Sequence, residues 1–472
     1  MASLKTSISM ITVIITFLSI VLSLSTSSYS QENCDCKQSL FQLIHKMESE
    51  YPGFKEKTED AIVYKDFKDR LIIESENTLD SDCYELLKHY LSYFRDGHVS
   101  LIQMNETQDP QIDTEPGQRA VITLDDFYDH ISHSDDELEG VWGSSYYKVG
   151  IIKVSDEYQG FIIESSNPSW KANEIKFRLM ENGEADYYMG DHSLEEGTFE
   201  LFDGSILSIG HVNVVFIKEV PGPKLTESEI ESKLDIIQGF YFTKVTERTS
   251  LLCVSSFDDP YVERIEKMIS DNQQAIESCE NLIIDVRNNY GGTYDAYEEI
   301  LPYVLTNQIR GVGQEFLVTQ TLIDDVESWF DDEAGRKEAR RWISMFEGNI
   351  GTFVNTDESD VYISEIAIAE HGPKQIAVLA NKRTASSGEA FVLAAKQSKK
   401  VKVLGVPTYG AIDYGSASLF EFECPDYQLM MPTWRAMRLP DYPLDNIGVQ
   451  PDIYLDESVE DWVQFAIKYL EN

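Results

Sequence analysis

From Leu251 onward, short apolar runs alternate with helical patterns, and this alternation constrains the fold more than any other feature of the chain. Leu251 to Ser255, Leu282 to Val286, Ile376 to Leu379 and Val401 to Leu404 read as buried strands. Helices are predicted from Tyr261, near Tyr294 and after Ser386. Strands separated by helices pair in parallel, because each connection has to cross the sheet before the next strand begins. The order therefore predicts an α/β layer fold with a largely parallel sheet. Acidic helical sequence from Asp324 to Phe346 reads as an insertion.

The chain upstream is patterned differently. Leu86, Leu87, Tyr90, Leu91 and Phe94 recur at three- and four-residue steps, which is the buried face of a helix. Gly97 stands where a helix C-terminal glycine belongs, and His98 to Ile102 reads as a strand. Residues 104 to 118 are polar, with two prolines and a glycine, and read as a linker carrying the sequon Asn105-Glu106-Thr107. Between 140 and 220 the period falls to two. Tyr147 to Val154, Gly160 to Glu164, Glu174 to Leu179, Thr198 to Phe202 and Val212 to Ile217 are predicted strands. Asn182-Gly183 and Asp203-Gly204 are hairpin turns between them, so an antiparallel barrel-like unit is expected. Thr226 and Glu229 form a capping box that opens the next helix.

These changes divide the chain into a leader at 1–30, a helical region at 31–118, a β-rich domain at 119–225 and an α/β domain at 226–472. In the leader, Lys5 precedes the mostly apolar Ile8 to Leu24, and Ser28 and Ser30 are spaced like a signal-peptidase site before Gln31. A secreted or periplasmic protein without integral membrane association is expected after cleavage; a single membrane span is the rival reading. Export bears on Cys34, Cys36, Cys83, Cys253, Cys279 and Cys424, which lack the paired spacing of a zinc site. In an oxidising compartment disulfides are expected, and one of Cys34 and Cys36 joined to Cys83 would staple the helices. The full connectivity is not legible, since six cysteines allow fifteen pairings. With 82 acidic against 39 basic residues, the net charge is −43, which repels phosphate backbones and argues against a nucleic-acid binder.

Ligands of open α/β sheets bind beyond the carboxyl ends of the strands, and two strand ends here are unusual. Asp285-Val286-Arg287-Asn288-Asn289-Tyr290-Gly291-Gly292 follows one strand. Paired glycines there let backbone N–H groups approach an anion, or simply make a tight turn. Thr384-Ala385-Ser386-Ser387-Gly388-Glu389 follows another and opens a helix. A serine at a helix start meets free N–H groups and the positive helix end, which suits a developing oxyanion; the plain alternative is an N-cap.

Together the two runs resemble the catalytic domain of tail-specific (carboxyl-terminal processing) and tricorn-type serine proteases, over about 240 to 460 and upstream at Gly97-His98. The resemblance implies a crotonase-like ββα layered domain that hydrolyses peptide bonds in peptide or protein substrates without a cofactor. It places the nucleophile at Ser386 and the oxyanion hole at the N–H groups of Ser387 and of Gly291 or Gly292. The tail-specific branch uses a lysine base in a Gly-x-Pro-Thr-x-Gly-Lys run, but Gly405-Val406-Pro407-Thr408-Tyr409-Gly410 ends in Ala411. The tricorn-type branch uses a histidine and an acid instead. Asp96-Gly97-His98-Val99 fits the histidine segment, although Gly97 replaces a serine of that branch. Asp445-Asn446-Ile447-Gly448-Val449-Gln450-Pro451-Asp452 fits the acid segment, with Asp for Glu.

The implied set is therefore Ser386 as nucleophile, His98 as base and Asp445 as the orienting acid. A histidine takes the serine proton near neutral pH, and a carboxylate on its far nitrogen fixes the tautomer. Asp413, after the glycine turn, is a candidate for lining the substrate cleft. His130 and His133 beside Asp129, Asp135 and Asp136 read as a polar helix end, with metal binding as the alternative; no metal site is expected. The rival to a peptidase is a catalytically inactive peptide- or ligand-binding protein on the same fold. An acyl-CoA hydratase on that fold has no evident use for the serine with a remote His and Asp.

Overall fold

The computed structural model describes residues 35–103, 118–421 and 427–472, apart from Pro168, Asp191, Asn213, Asp331 and Glu358. The leader, the sequon, Cys34 and Cys424 lie outside the described residues.

A six-stranded sheet forms the centre of the C-terminal half. Phe240–Lys244 is antiparallel to Thr249–Val254, and from there Asn281–Asp285, Gln375–Ala380, Val401–Gly405 and Ile453–Tyr454 follow in parallel. Strand residues alternate between the faces, so Leu282 and Ile284 join Ile265, Ile269, Phe391 and Val392 on one side. Ile283, Ala377, Leu379 and Leu404 pack against the helix Trp462–Glu471 on the other. Both faces are covered, which is why the central strands carry the apolar runs Leu282 to Ile284 and Ile376 to Ala380. The acidic stretch forms the helices Gln320–Asp325 and Glu333–Phe346.

The helices Cys36–Glu50, Ala61–Ser75 and Cys83–Ser92 precede the strand Ser100–Gln103. That strand pairs with Tyr427–Met431, which pairs with Ser418–Glu421. Leu40, Leu87, Tyr90 and Phe94 share one core with Phe420, Leu429 and Met431, so the N-terminal helices are bound into the C-terminal half. Cys36 and Cys83 form a disulfide that joins the first residues of two of these helices. Cys253 and Cys279 are free thiols. The left-handed residue after Cys83–Ser92 is Arg95 (φ 49°), not Gly97. Gly97 is required for a different reason, given below.

Residues 140–220 close into an eight-stranded antiparallel barrel. The five predicted strands are present, and Gly140–Gly143, Glu184–Tyr188 and Ile206–Ile209 complete the circle. At Asp203-Gly204 both residues have positive φ (48° and 63°), as a type I′ hairpin turn requires. Trp142, Phe177, Leu179 and Phe216 fill the interior, so the barrel is a packed unit. Among the described residues no helix is long and apolar enough to cross a membrane.

Candidate active site

The two unusual strand ends are laced together by buried polar side chains. Thr384 Oγ1 donates to the carbonyl of Val286 (2.9 Å), and the Ala385 N–H donates to the carbonyl of Asn289 (2.9 Å). Asn289, fully buried, donates to the Val254 carbonyl (3.1 Å) and accepts from the Gly291 N–H (2.9 Å). Gly291 is thereby pressed onto the serine turn. A Cβ at Gly291 would stand 2.8 Å from Ser386 Cβ and 3.0 Å from the Ser387 nitrogen, and its φ of +108° favours glycine.

Ser386 stands at the start of the helix Ser387–Lys396 with φ 50° and ψ −120°, a backbone conformation that costs an L-residue about 1–3 kcal/mol. Glu389 holds it there. This fully buried carboxylate accepts from the Ser386 N–H (3.1 Å), from Gly410 N–H (2.9 Å), from Ala411 N–H (2.8 Å) and from the Thr408 hydroxyl. Glu389 carries the strained turn and had no assigned part in the sequence reading. Its signal was the capping-box spacing, an acid three residues after the helix-start serine.

His98 comes to this turn from 288 residues away, with Nε2 3.4 Å from Ser386 Oγ. Its loop is anchored from the far end of the chain, where Asn446 Nδ2 donates to the Arg95 carbonyl (2.8 Å). Gly97 packs against Tyr409 and Ala411; a Cβ there would lie 2.9 Å from Tyr409 Cε1 and 3.2 Å from Ala411 Cβ. Behind the ring, Asp96 Oδ1 lies 3.6 Å from Nδ1 and accepts from the His98 N–H (2.8 Å). Asp96 Oδ2 accepts from the Tyr51 hydroxyl (2.7 Å). Burial pushes the His98 pKa down, but the carboxylates of Asp96, Asp445 and Glu389 push it up by more, so it lies above the ordinary histidine value.

Asp445 is placed beside this group but not on the histidine. Its Oδ1 accepts from the N–H groups of Ile412 (3.0 Å) and Asp413 (2.9 Å), and its Oδ2 stands 3.4 Å from Lys57 Nζ. No hydrogen bond or ion pair joins it to His98 among the described residues. Burial and then the charge of Asp96 push the Asp445 carboxyl up to about 6, against the pull of Lys57. The cleft-lining role expected for Asp413 finds no support. Asp413 is 1% exposed, pairs with Arg438 (2.6 Å) and accepts from the N–H groups of Leu444 (2.7 Å) and Asp445 (2.8 Å), so it shapes the turn that carries Asp445.

The backbone N–H groups sort themselves by geometry. Gly291 N–H is occupied by Asn289. Gly292 sits in a parallel bridge with Phe257 made through its neighbours, Gly291 O and Thr293 N, which turns the Gly292 N–H away from Phe257. Neither Gly292 N–H nor Ser387 N–H has an acceptor among the described residues. The lysines nearest in sequence do not reach the serine: Lys396 Nζ holds Asp452 (2.9 Å) and the Gln450 carbonyl (3.0 Å), and Lys382 is exposed. Asp285 and Arg287 pair with each other (2.6 Å). His130 pairs with Glu139 (2.9 Å), and no metal-binding cluster occurs among the described residues.

No curated protein matches the chain. Among solved structures, mature CPAF complexed with lactacystin is similar in fold, at 14% identity over 93% of this chain and 97% of its own, with a TM-score of 0.50. The photosystem II D1 C-terminal processing protease aligns over 90% of this chain and 94% of its own, at 12% identity and a TM-score of 0.38. The tricorn protease aligns over 93% of this chain and 37% of its own, at 11% identity and a TM-score of 0.40. The sequence model of Peptidase family S41 matches residues 248–455, a span that includes both strand ends and the Asp445 run. This match supports a serine-type peptidase domain over those residues.

Proposed function

We propose that this protein is an exported serine peptidase in which Ser386 is the nucleophile and His98 its general base. The approach of His98 Nε2 to Ser386 Oγ, 3.4 Å across 288 residues of sequence, carries the reading. A serine hydroxyl attacks a peptide carbonyl only when its proton has somewhere to go, and Nε2 is the basic atom within reach. As Oγ bonds to the carbonyl carbon, the proton passes to Nε2 and negative charge develops on the carbonyl oxygen. The N–H groups of Ser387 and Gly292 receive that charge. His98 then returns the proton to the departing amine, and a water repeats the sequence to release the acyl group. Asp445 acts on His98 through its field, from its place against Lys57. The Cys36–Cys83 disulfide and the apolar leader support export.

A fluorophosphonate probe tests the proposal on the full mature chain. Labelling should map to Ser386 and disappear in Ser386→Ala and His98→Ala. Intact labelling of His98→Ala would remove the base assignment, and no labelling at any pH would make the chain a binding protein on a peptidase fold.

A further inference from the structure

Tyr51 and Asp96 contribute to no step described so far, yet they make a fully buried polar contact behind His98. The Asp96 side chain has no solvent exposure and Tyr51 is 1% exposed. Both Asp96 oxygens are assigned: Oδ1 faces the His98 ring and its backbone N–H, and Oδ2 takes the Tyr51 hydroxyl at 2.7 Å. His98 Nδ1 is buried without a hydrogen-bond partner, and Asp96 Oδ1 is the acceptor standing opposite it at 3.6 Å. A shift of well under 1 Å makes that contact a hydrogen bond.

We infer that Asp96, locked by the Tyr51 hydroxyl, is the carboxylate that orients His98, and that Asp445 is not. The inference rests on the Ser386–His98 reading and adds two positioning residues to it. Tyr51 is itself held firmly. Its ring packs edge-on against Phe94 (5.4 Å) and beside Tyr414 (5.7 Å), and Gly53 leaves space for the hydroxyl, since a Cβ there would come 2.5 Å from it. Asp445 has the opposite surroundings: its oxygens are taken by two backbone N–H groups and a lysine. The charged groups acting on His98 are Asp96, Asp445 and Glu389, and Lys57 is paired with Asp445. Tyr414 and Asp445 also act on Tyr51.

Three conservative variants of the mature chain test this, each read by the pH profile of kcat/KM on a peptide substrate. In Tyr51→Phe, Asp96 Oδ2 is left buried and unpaired, so the anion bears harder on the imidazolium and accepts a proton at higher pH. Both effects move the acid limb upward, and kcat/KM should fall by about tenfold to a hundredfold, the size of a hydrogen bond to a charged group. In Asp96→Asn the anion is gone. The acid limb should move downward, with a fall in kcat of about a thousandfold or more as the tautomer is lost. Asp445→Asn should move the limb downward too, with a loss below about tenfold. If Asp445→Asn costs a thousandfold and Asp96→Asn little, the inference is wrong. An unmoved limb in a folded Tyr51→Phe would overturn the part given to Tyr51. Should Tyr51→Phe not fold, the two Asp variants still decide between Asp96 and Asp445. Activity surviving Ser386→Ala would instead defeat the underlying peptidase reading, a separate outcome.

Discussion

Gly97 lies directly against Ala411: a Cβ on the glycine would stand 3.2 Å from the alanine Cβ, at the place where the tail-specific pattern has its lysine. The histidine loop and a lysine at 411 would therefore compete for one volume, and this chain has the histidine loop. Ala411→Lys adds four heavy atoms beyond Cβ at a site only 4% exposed. The variant should lose activity and about 1–3 kcal/mol of stability by overpacking. The double variant His98→Ala/Ala411→Lys should remain inactive in peptide hydrolysis; recovered turnover would contradict the steric account.

Asp445 also makes stability depend on pH. Its carboxyl is raised to about 6 in the folded chain, against about 3.9 when unfolded. Below pH 4 it is protonated in both states and costs nothing. As pH rises through 4 to 6 the unfolded chain ionises first, so stability is lost, by on the order of 3 kcal/mol. Asp445→Asn lacks this penalty. Denaturant titrations at pH 4 and pH 8 should show the variant gaining on the wild type at the higher pH, and a constant difference would contradict the burial of this charge.

Gly291 sits where a side chain cannot. Its Cβ would meet Ser386 Cβ at 2.8 Å and the Ala385 carbonyl oxygen at 2.9 Å. Gly291→Ala should fold with reduced stability and lose probe labelling at Ser386, because the serine turn has to move away. Normal labelling kinetics would show that the close approach is dispensable.

The Cys36–Cys83 disulfide joins the beginnings of two helices whose ends lead to Tyr51 and to Asp96. Closing 47 residues of sequence corresponds to about 4 kcal/mol in the chain-entropy account. Replacing both cysteines with serine should lower the Tm by several degrees and weaken peptide hydrolysis before global unfolding. If activity followed only the global transition, the helices would not be transmitting order to His98.

The elements were legible because their causes are local. Leu282 to Ile284 and Ile376 to Leu379 are continuous apolar runs, and buried parallel strands are read from such runs directly. The capping box at Thr226 and the turn at Asp203-Gly204 appear where their residues demand. Barrel closure was less visible. Gly140–Gly143 and Ile206–Ile209 are four residues each, too short for a period of two to be seen, and they are held by the neighbours they pair with.

The strand-end runs and the histidine segment were visible in the sequence itself, since each is a contiguous string, and the two runs together carry the resemblance that neither carries alone. Which carboxylate faces the histidine was decided only by tertiary packing. Asp96 stands two residues before His98 and Asp445 comes from the far end of the chain, but the order of residues alone does not say which of the two faces the ring. The difference is that Tyr51, 45 residues away from Asp96, meets one, while Lys57, 388 residues away from Asp445, meets the other. The charge and hydrogen bonding of a buried carboxylate depend on the groups that fold around it, and those come from distant parts of the chain.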